Sequence, residues 1–161
     1  LRDTSLPDTL SAALQQLVDR IALQDLVIAY ANAIDRRDFD ALDEVFTADA
    51  YIDYRAMGGI EGPYPTVKAW LPEALGHFPA YMHLTGNAAF EIDGDQARGR
   101  VACFNPMVIA LPDGGRHTLF LGLWYIDAYC RTEAGWRISR RSEEKSYDFN
   151  VPDFMKAAIG N

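Results

Sequence analysis

The stretch Tyr30-Ala-Asn-Ala-Ile-Asp-Arg-Arg-Asp-Phe-Asp-Ala-Leu42 contains the end of one predicted helix and the start of the next. Apolar residues recur every three or four positions from Leu10 to Ile34, which predicts a long helix that ends within this stretch. Asp35 lies at the end of that helix, and Asp38 is a suitable N-cap for a short second helix. An acidic side chain is therefore expected between the first two helices.

The pattern changes after the second helix. Residues Ala50–Tyr54 alternate as in a strand, and Met57-Gly58-Gly59 is typical of a turn. Residues Thr66–Leu75 have helical spacing, and Pro72 is expected to break or restart that helix.

Four long strand candidates make up most of the remaining chain. They are Met82–Ile92, Gln96–Leu111, His117–Arg131 and Trp136–Asp148. Short connections rich in Gly and Asp join them, which predicts sequential antiparallel hairpins. Helices followed by hairpins indicate an α+β fold with helices on one face of an antiparallel sheet. The 161 residues are expected to form a single domain, 1–161.

The third long strand candidate carries apolar side chains on both faces. Leu119, Leu121, Leu123 and Tyr125 share one face, whereas Phe120, Trp124 and Ile126 share the other. One face can cover an internal pocket, but too few helices remain to cover the second. The sequence therefore predicts a homodimer or homotrimer formed through the outer sheet face.

Composition excludes several classes of function. A net charge of -8 disfavours binding to nucleic acid or to an anionic membrane surface. No apolar run approaches the roughly 18 residues of a membrane helix. Nucleotide-binding, serine-hydrolase and zinc-protease motifs are missing, and the three histidines are dispersed, so neither a metal nor a cofactor is expected. Cys103 and Cys130 fit free thiols in a reducing cytoplasm, and a single disulfide between them stays open as the alternative.

Several titratable residues are expected to be solvent-exposed surface residues. His77 and His117 are expected at the surface. A solvated strand face is expected for the mixed charge run near the C-terminus, which comprises Arg140, Arg141, Glu143, Glu144 and Lys145.

Motifs along nearly the whole chain resemble one family. They are Tyr30-x4-Asp35, Phe39-Asp40-Ala41-Leu42, Phe46-Thr47-Ala48-Asp49-Ala50, Ile52-Asp53-Tyr54-Arg55, Met82-His83-Leu84-Thr85-Gly86-Asn87, Tyr125-x-Asp127 and Gly135-Trp136-Arg137-Ile138. This set resembles the SnoaL-like branch of the nuclear-transport-factor-2-like (NTF2-like) fold. Within it, the chain is similar to scytalone dehydratase, bile acid 7α-dehydratase and hexachlorocyclohexane dehydrochlorinase.

The resemblance implies a cystatin-like fold in which a cone-shaped, curved antiparallel sheet surrounds an apolar pocket closed by the N-terminal helices. It also implies that His83 is a general base, that Asp35 is its partner, and that Tyr30 and Tyr54 are hydrogen-bond donors. A packing role for Tyr30 stays open, because Tyr30 lies on the apolar stripe of its helix. The residues assigned to substrate binding are Trp124, Met107, Asn105 and Lys145.

The chemistry explains why these residue types would be needed. A neutral histidine is well matched to proton abstraction near pH 7, and a carboxylate fixes its tautomer and stabilises the imidazolium. The interpretation is a cofactor-independent lyase, a dehydratase or related eliminating enzyme, acting on an apolar cyclic hydroxy ketone. Two alternatives stay open, namely an isomerase or cyclase, and a non-catalytic binding or assembly module. Scytalone itself is not expected as substrate, because Leu121 and Gly122 lie near the place of that enzyme's second pocket histidine.

Overall fold

The computed structural model describes residues 8–157 and 159. The predicted domain 1–161 therefore includes residues 1–7, 158, 160 and 161, which lie outside the described residues. The helices are α1 (Asp8–Asp35), α2 (Tyr64–Gly76) and α3 (Asp153–Lys156), with 3₁₀ helices at Phe39–Glu44 and Arg55–Met57. The strands are β1 (Phe46–Asp53), β2 (Glu61–Pro63), β3 (Ala80–Tyr81), β4 (Leu84–Asp93), β5 (Gln96–Ala110), β6 (Arg116–Thr132) and β7 (Gly135–Phe149).

The seven strands found within the described residues belong to one sheet, so the architecture is α+β as predicted. The sheet order is β2-β1-β7-β6-β5-β3, and β4 also pairs with β5. Strands β4 to β7 form the expected consecutive antiparallel hairpins. Strand β1, in contrast, joins the edge of β7 in parallel, which the hairpin pattern did not indicate. Register shifts within the β4–β5 and β6–β7 pairs mark bulges, which bend strands and help the sheet curl.

Helix α1 ends at Asp35, where the sequence predicted its end. Asp38 then caps the following 3₁₀ helix, since its Oδ1 accepts a hydrogen bond from the Ala41 N–H at 3.3 Å. The C-terminal part of α1 is buried against the sheet through Leu23, Val27 and Ile34. This packing holds the helix end, with Tyr30 and Asp35, at the concave side of the sheet.

Helix α2 continues through Pro72, so the prediction of a break at that residue is wrong. Proline removes the N–H that would bond to the carbonyl four residues earlier. Pro72 is exposed, so this loss lies on the solvent side of the helix. The opposite side is anchored in the core through Val67 and Leu71.

The two faces of β6 differ in burial as the alternation predicted. Leu119, Leu121, Leu123 and Tyr125 are buried on the concave face. Buried residues from α1, β1, α2 and β5 complete the same core. No helix within the described residues is long and apolar enough to cross a membrane.

Candidate active site

The concave face of the sheet encloses a cavity of about 780 Å³ between α1, α2 and the inner row of β6. Its walls are mostly apolar. They include Ile34, Leu71, Leu75, Met107, Ile109, Leu121, Leu123 and, from the C-terminal segment, Phe154 and Met155. The polar groups that line it are few, as in typical small-molecule sites. They include His83, Tyr30, Tyr54, Asn105, Tyr125 and Glu143.

Asp35 and His83 lie in direct contact at this cavity. The Nδ1 of His83 is 2.7 Å from Oδ1 of Asp35. The backbone N–H of His83 donates to both carboxylate oxygens of Asp35, at 3.1 Å and 3.0 Å. The His83 side chain is only 8% exposed and that of Asp35 is 24% exposed. With Nδ1 engaged by Asp35, Nε2 is the ring nitrogen that can act on a ligand in the cavity.

The environment of Asp35 keeps it ionised. Partial burial opposes ionisation, but the hydrogen bonds from the ring and the backbone of His83 outweigh it and lower the pKa of Asp35. A carboxylate in this position accepts a hydrogen bond from Nδ1–H and therefore fixes the tautomer with a bare Nε2. The pair has the arrangement of a base and its orienting acid.

Neighbouring groups hold the imidazole in place. The ring of Tyr81 meets that of His83 edge to face, and the Tyr81 hydroxyl donates to the Ile34 carbonyl at 3.0 Å. Asn105 donates from Nδ2 to the carbonyl of Met82 at 2.8 Å, which fixes the backbone immediately before His83. Asn105 thus supports the site as well as lining the cavity.

Tyr30 and Tyr54 form a second polar pair in the cavity wall. Their hydroxyls share a buried hydrogen bond of 2.8 Å. Burial raises the pKa of both phenols, so both are neutral and keep their protons near pH 7. Each hydroxyl carries one proton. One of the two protons forms the hydrogen bond between the hydroxyls, and the other can be donated to a ligand oxygen.

A buried ion pair packs against the rings of Tyr30 and Tyr125. The Arg141 guanidinium makes two parallel hydrogen bonds to Asp127, from Nε to Oδ1 at 2.8 Å and from an Nη to Oδ2 at 2.7 Å. Its central carbon lies 4.0 Å from the Tyr30 ring centroid and 4.1 Å from that of Tyr125. This cation packs against both rings, which also meet each other edge to face with centroids 5.5 Å apart, and so helps to fix their positions.

Glu143 is a site residue that the sequence did not reveal. It faces Tyr125 across the β6–β7 pair and lines the cavity. The prediction of a solvated charge run is therefore wrong for Arg141 and Glu143. Asp127 could have signalled this arrangement, because an acid on the buried face of β6 requires a buried cation on the adjacent strand.

The predicted substrate-binding residues divide into two groups. Met107 and Asn105 line the cavity. Trp124 does not, because it lies on the outer face of β6, where the Arg100 guanidinium stacks 3.7 Å from its ring centroid. Lys145 also lies outside the cavity lining, and its Nζ is 2.8 Å from Asp148. The assignment of Trp124 is wrong because strand alternation places its side chain on the outer face of β6. Lys145 has an inward-facing register partner, Leu123, but it is not part of the cavity wall, so its assignment is wrong for a different reason.

The remaining histidines lie apart from the Asp35–His83 pair. His117 contacts the Asn150 carbonyl at 2.6 Å through Nε2, and the exposed His77 lies at the cavity rim. Within residues 8–157 and 159, no three His, Cys, Asp or Glu side chains are grouped so as to hold a metal ion.

Comparison with known proteins places this chain in a family. The family model described as SnoaL-like domain matches residues 15–142, so the chain belongs to the SnoaL-like family. The uncharacterized protein Rv2910c of Mycobacterium tuberculosis is 55% identical over 133 residues, covering 82% of this chain and 88% of that protein.

Two solved structures show the same fold. An NTF2-like protein with a cystatin-like fold from Novosphingobium aromaticivorans is 23% identical, with a TM-score of 0.65, covering 97% of this chain and 96% of that chain. The hexachlorocyclohexane dehydrochlorinase LinA-type3 from Novosphingobium barchaimii is 19% identical, with a TM-score of 0.73, covering 88% and 95%. The NTF2-like, cystatin-like fold predicted from the sequence is thereby confirmed.

Proposed function

We propose that this protein is a cofactor-independent lyase that eliminates water, or a related leaving group, from an apolar cyclic hydroxy ketone. The observation that carries the proposal is the 2.7 Å contact between Asp35 and the Nδ1 of His83 at the wall of an apolar cavity. An oriented, shielded imidazole beside an apolar space is suited to removing a proton from carbon.

The proposed reaction begins at Nε2 of His83. This nitrogen takes a proton from the carbon next to the substrate carbonyl, and the electron pair of that C–H bond becomes part of the new double bond. The bond to the leaving group then breaks on the neighbouring carbon. Asp35 stabilises the imidazolium that forms without itself becoming protonated.

The tyrosine pair supplies the electrophilic half of the reaction. As the proton leaves, negative charge develops on the carbonyl oxygen. The spare hydroxyl proton of the Tyr30–Tyr54 pair can be donated to that oxygen from a buried position in the cavity wall. Both residues are already fixed by packing, so little reorganisation is needed when charge develops.

The cavity suits a ligand of this kind. A volume of about 780 Å³ is within the usual range for small-molecule sites and accommodates a bicyclic or larger ring system. Its apolar walls favour a hydroaromatic, polyketide-like or steroid-like skeleton. The SnoaL-like family and a structural neighbour named as a dehydrochlorinase are consistent with an elimination. At 19% identity that neighbour supports only the fold.

The test is an assay with 3-hydroxy-1-tetralone, a bicyclic hydroxy ketone whose dehydration produces fluorescent 1-naphthol. The wild-type protein is expected to accelerate naphthol formation without added metal or nucleotide. His83→Ala is expected to lose about 10²–10⁴-fold in rate, the usual contribution of a positioned base. His117→Ala is the matched control and should retain full activity.

Each outcome distinguishes the function from its alternatives. Water loss that depends on His83 supports a lyase. A product of unchanged mass that depends on His83 indicates an isomerase or cyclase. Binding of the tetralone with no chemical change, across a panel of hydroxy ketones, indicates a binding module and overturns the proposal.

A further inference from the structure

The carboxyl group of Glu143 has no role in the base-and-tyrosine arrangement, although it faces the same cavity. Its register partner is Tyr125, directly across the β6–β7 pair, so the two side chains share the concave face. Oε2 of Glu143 is shielded from solvent and has no hydrogen-bond partner. A shielded polar atom without a partner is costly, which indicates that a ligand completes it.

The guanidinium of Arg141 forms its ion pair with a different carboxylate. Arg141 lies two residues from Glu143 on the same strand, and two of its nitrogens bond to both oxygens of Asp127. Its third nitrogen, Nη1, is buried and has no hydrogen-bond partner, so it is not bonded to Glu143. The pair of Arg141 and Asp127 is fully buried and balanced in charge. A carboxylate at Glu143 would add an unpaired negative charge to this enclosed region, at a high cost in desolvation. Burial raises the pKa of Glu143 well above its ordinary value, and the charge of Arg141 only partly opposes that effect.

The position of Glu143 relative to His83 is also informative. The Tyr30 ring meets two other rings edge to face, with its centroid 6.3 Å from that of His83 and 5.5 Å from that of Tyr125. Glu143 is the register partner of Tyr125. The proton acceptor and the carboxyl group therefore line the same cavity, and each is adjacent to a ring that Tyr30 contacts or is itself in contact with Tyr30.

We propose that Glu143 is a protonated general acid that donates its proton to the departing hydroxyl group of the substrate. This inference rests on the proposed lyase function, because it assigns the second proton transfer of the same elimination. It also limits the proposed substrates to uncharged compounds whose leaving group is a hydroxyl. An uncharged compound with a hydroxyl leaving group needs such an acid, since hydroxide is a poor leaving group unless it is protonated.

The proton transfers balance as follows in one turnover. His83 takes a proton from carbon, and the C–H electron pair forms the double bond. The C–O bond breaks with its electron pair on oxygen, and the proton of Glu143 joins that oxygen to give water. Imidazolium at His83 and carboxylate at Glu143 remain, and transfer of one proton from the first to the second, through solvent, restores the starting state.

The first measurement needs no substrate. NMR of protein labelled with ¹³C at the glutamate carboxyl carbons reports the protonation state of each glutamate, and Glu143→Gln assigns the signal of Glu143. The expected result is a protonated carboxyl at pH 7. Glu144→Gln is the matched control, because Glu144 is exposed and pairs with Arg100. A Glu143 carboxyl that is ionised at pH 7 overturns the proposal.

The second measurement compares two leaving groups on one skeleton. 3-Hydroxy-1-tetralone releases hydroxide or water, whereas 3-acetoxy-1-tetralone releases acetate, which departs without protonation. Both form 1-naphthol. Glu143→Gln keeps the shape and the hydrogen-bond donor but cannot transfer a proton. It is expected to slow the hydroxy compound by about 10²-fold or more and to leave the acetoxy compound nearly unchanged.

Two results separate failure of this inference from failure of the lyase function. An equal loss on both compounds in Glu143→Gln overturns the acid role, because it indicates only a binding or structural effect. His83→Ala should slow both compounds. If His83→Ala leaves both rates unchanged, the lyase mechanism itself is wrong, whatever Glu143→Gln does.

Discussion

The contact between Asp35 and His83 depends on three hydrogen bonds that hold one carboxylate against one residue. The two backbone bonds position the carboxylate, and the bond to Nδ1 then orients the ring. Because a neutral imidazole has two tautomers, only the one with a proton on Nδ1 is a base at Nε2. The electrostatic state of Asp35 is therefore directly coupled to the chemistry of His83.

Asp35→Asn is expected to reduce the rate on 3-hydroxy-1-tetralone by about 10²-fold or more, because an amide neither stabilises the imidazolium nor fixes the tautomer. Asp38→Asn is the control in the same stretch, since asparagine also caps helices and the residue is exposed. Steady-state kinetics on both variants checks this. Equal activity of Asp35→Asn and wild type would contradict a role for the pair.

A double-mutant cycle tests the tyrosine pair. Tyr30→Phe and Tyr54→Phe each remove one hydroxyl of the shared 2.8 Å hydrogen bond. Each is expected to slow the reaction, by up to the 10²–10³-fold typical of losing one oxyanion donor. The losses should not add in the double variant, because the two hydroxyls act as one unit. Full activity in the double variant would show that the pair only packs.

At the scale of elements, the long periodic segments could be predicted from the sequence and the longer-range pairing could not. The four long strands and the end of α1 at Asp35 agree closely with the predicted positions. Pairing of β1 with β7 could not be seen, because nothing in Phe46–Asp53 specifies a parallel partner far along the chain. The continuation of α2 through Pro72 was not predicted either. Packing of the helix against the core outweighed the local tendency of proline to end a helix.

One buried carboxylate anchors α1 to the sheet. Asp19 accepts two hydrogen bonds from Arg131, at 2.7 Å and 2.8 Å, and one from Trp136 at 3.1 Å. The bonds from Arg131 are the main reason that the pKa of Asp19 falls to about 2. Its folded pKa is thus below the unfolded value, so the stabilisation is complete above the unfolded pKa and is lost as pH falls through the folded one.

Asp19→Asn is expected to lower the free energy of unfolding by about 1–3 kcal/mol at pH 7, because the charge-assisted bonds are weakened. Its stability should also decline less steeply than that of wild type as pH falls from about 4 to about 2. Urea unfolding across that range checks both expectations. Asp49→Asn, at an exposed position, is the control. Parallel pH profiles for wild type and Asp19→Asn would contradict this account.

At the scale of the whole molecule, the Asp35–His83 pair could be predicted from the sequence, whereas the cavity wall formed by β6 and β7 could not. Asp35 and His83 are 48 residues apart, and the family resemblance was what connected them. Alternation alone places Trp124 on the face opposite Leu123, as the structure does. Bulges in the β6–β7 pair interrupt the period of two, so the inward positions of Arg141 and Glu143 could not be read from their own strand. The only signal was Asp127 on β6, which could have indicated a buried cation opposite it.

The outer sheet face carries an uncovered aromatic cluster. The Phe104 and Phe120 ring centroids are 5.6 Å apart, and those of Phe120 and Phe149 are 5.9 Å apart. Phe149 is 62% exposed and Leu84, on the same sheet, is 58% exposed. The sequence-based prediction of a homodimer or homotrimer through this face follows from the cost of leaving such a surface in water.

Phe149→Glu is expected to convert that oligomer into a monomer, because a charge would be buried in an apolar interface. Light scattering after size-exclusion chromatography measures the mass. Leu17→Glu is the control, since Leu17 is an exposed apolar residue that belongs to α1 and not to the sheet. A monomeric wild type, or dissociation by Leu17→Glu but not by Phe149→Glu, would contradict the predicted interface.

The most direct test of the central claim is the ¹⁵N NMR spectrum of the His83 ring near pH 7. The expected spectrum shows the proton on Nδ1, bonded to Asp35, and a bare Nε2, and this pattern should change in Asp35→Asn. Such a result would establish a base poised toward the cavity. A ring with its proton on Nε2, unaffected by Asp35→Asn, would mean that His83 is not the base and that the lyase mechanism is wrong.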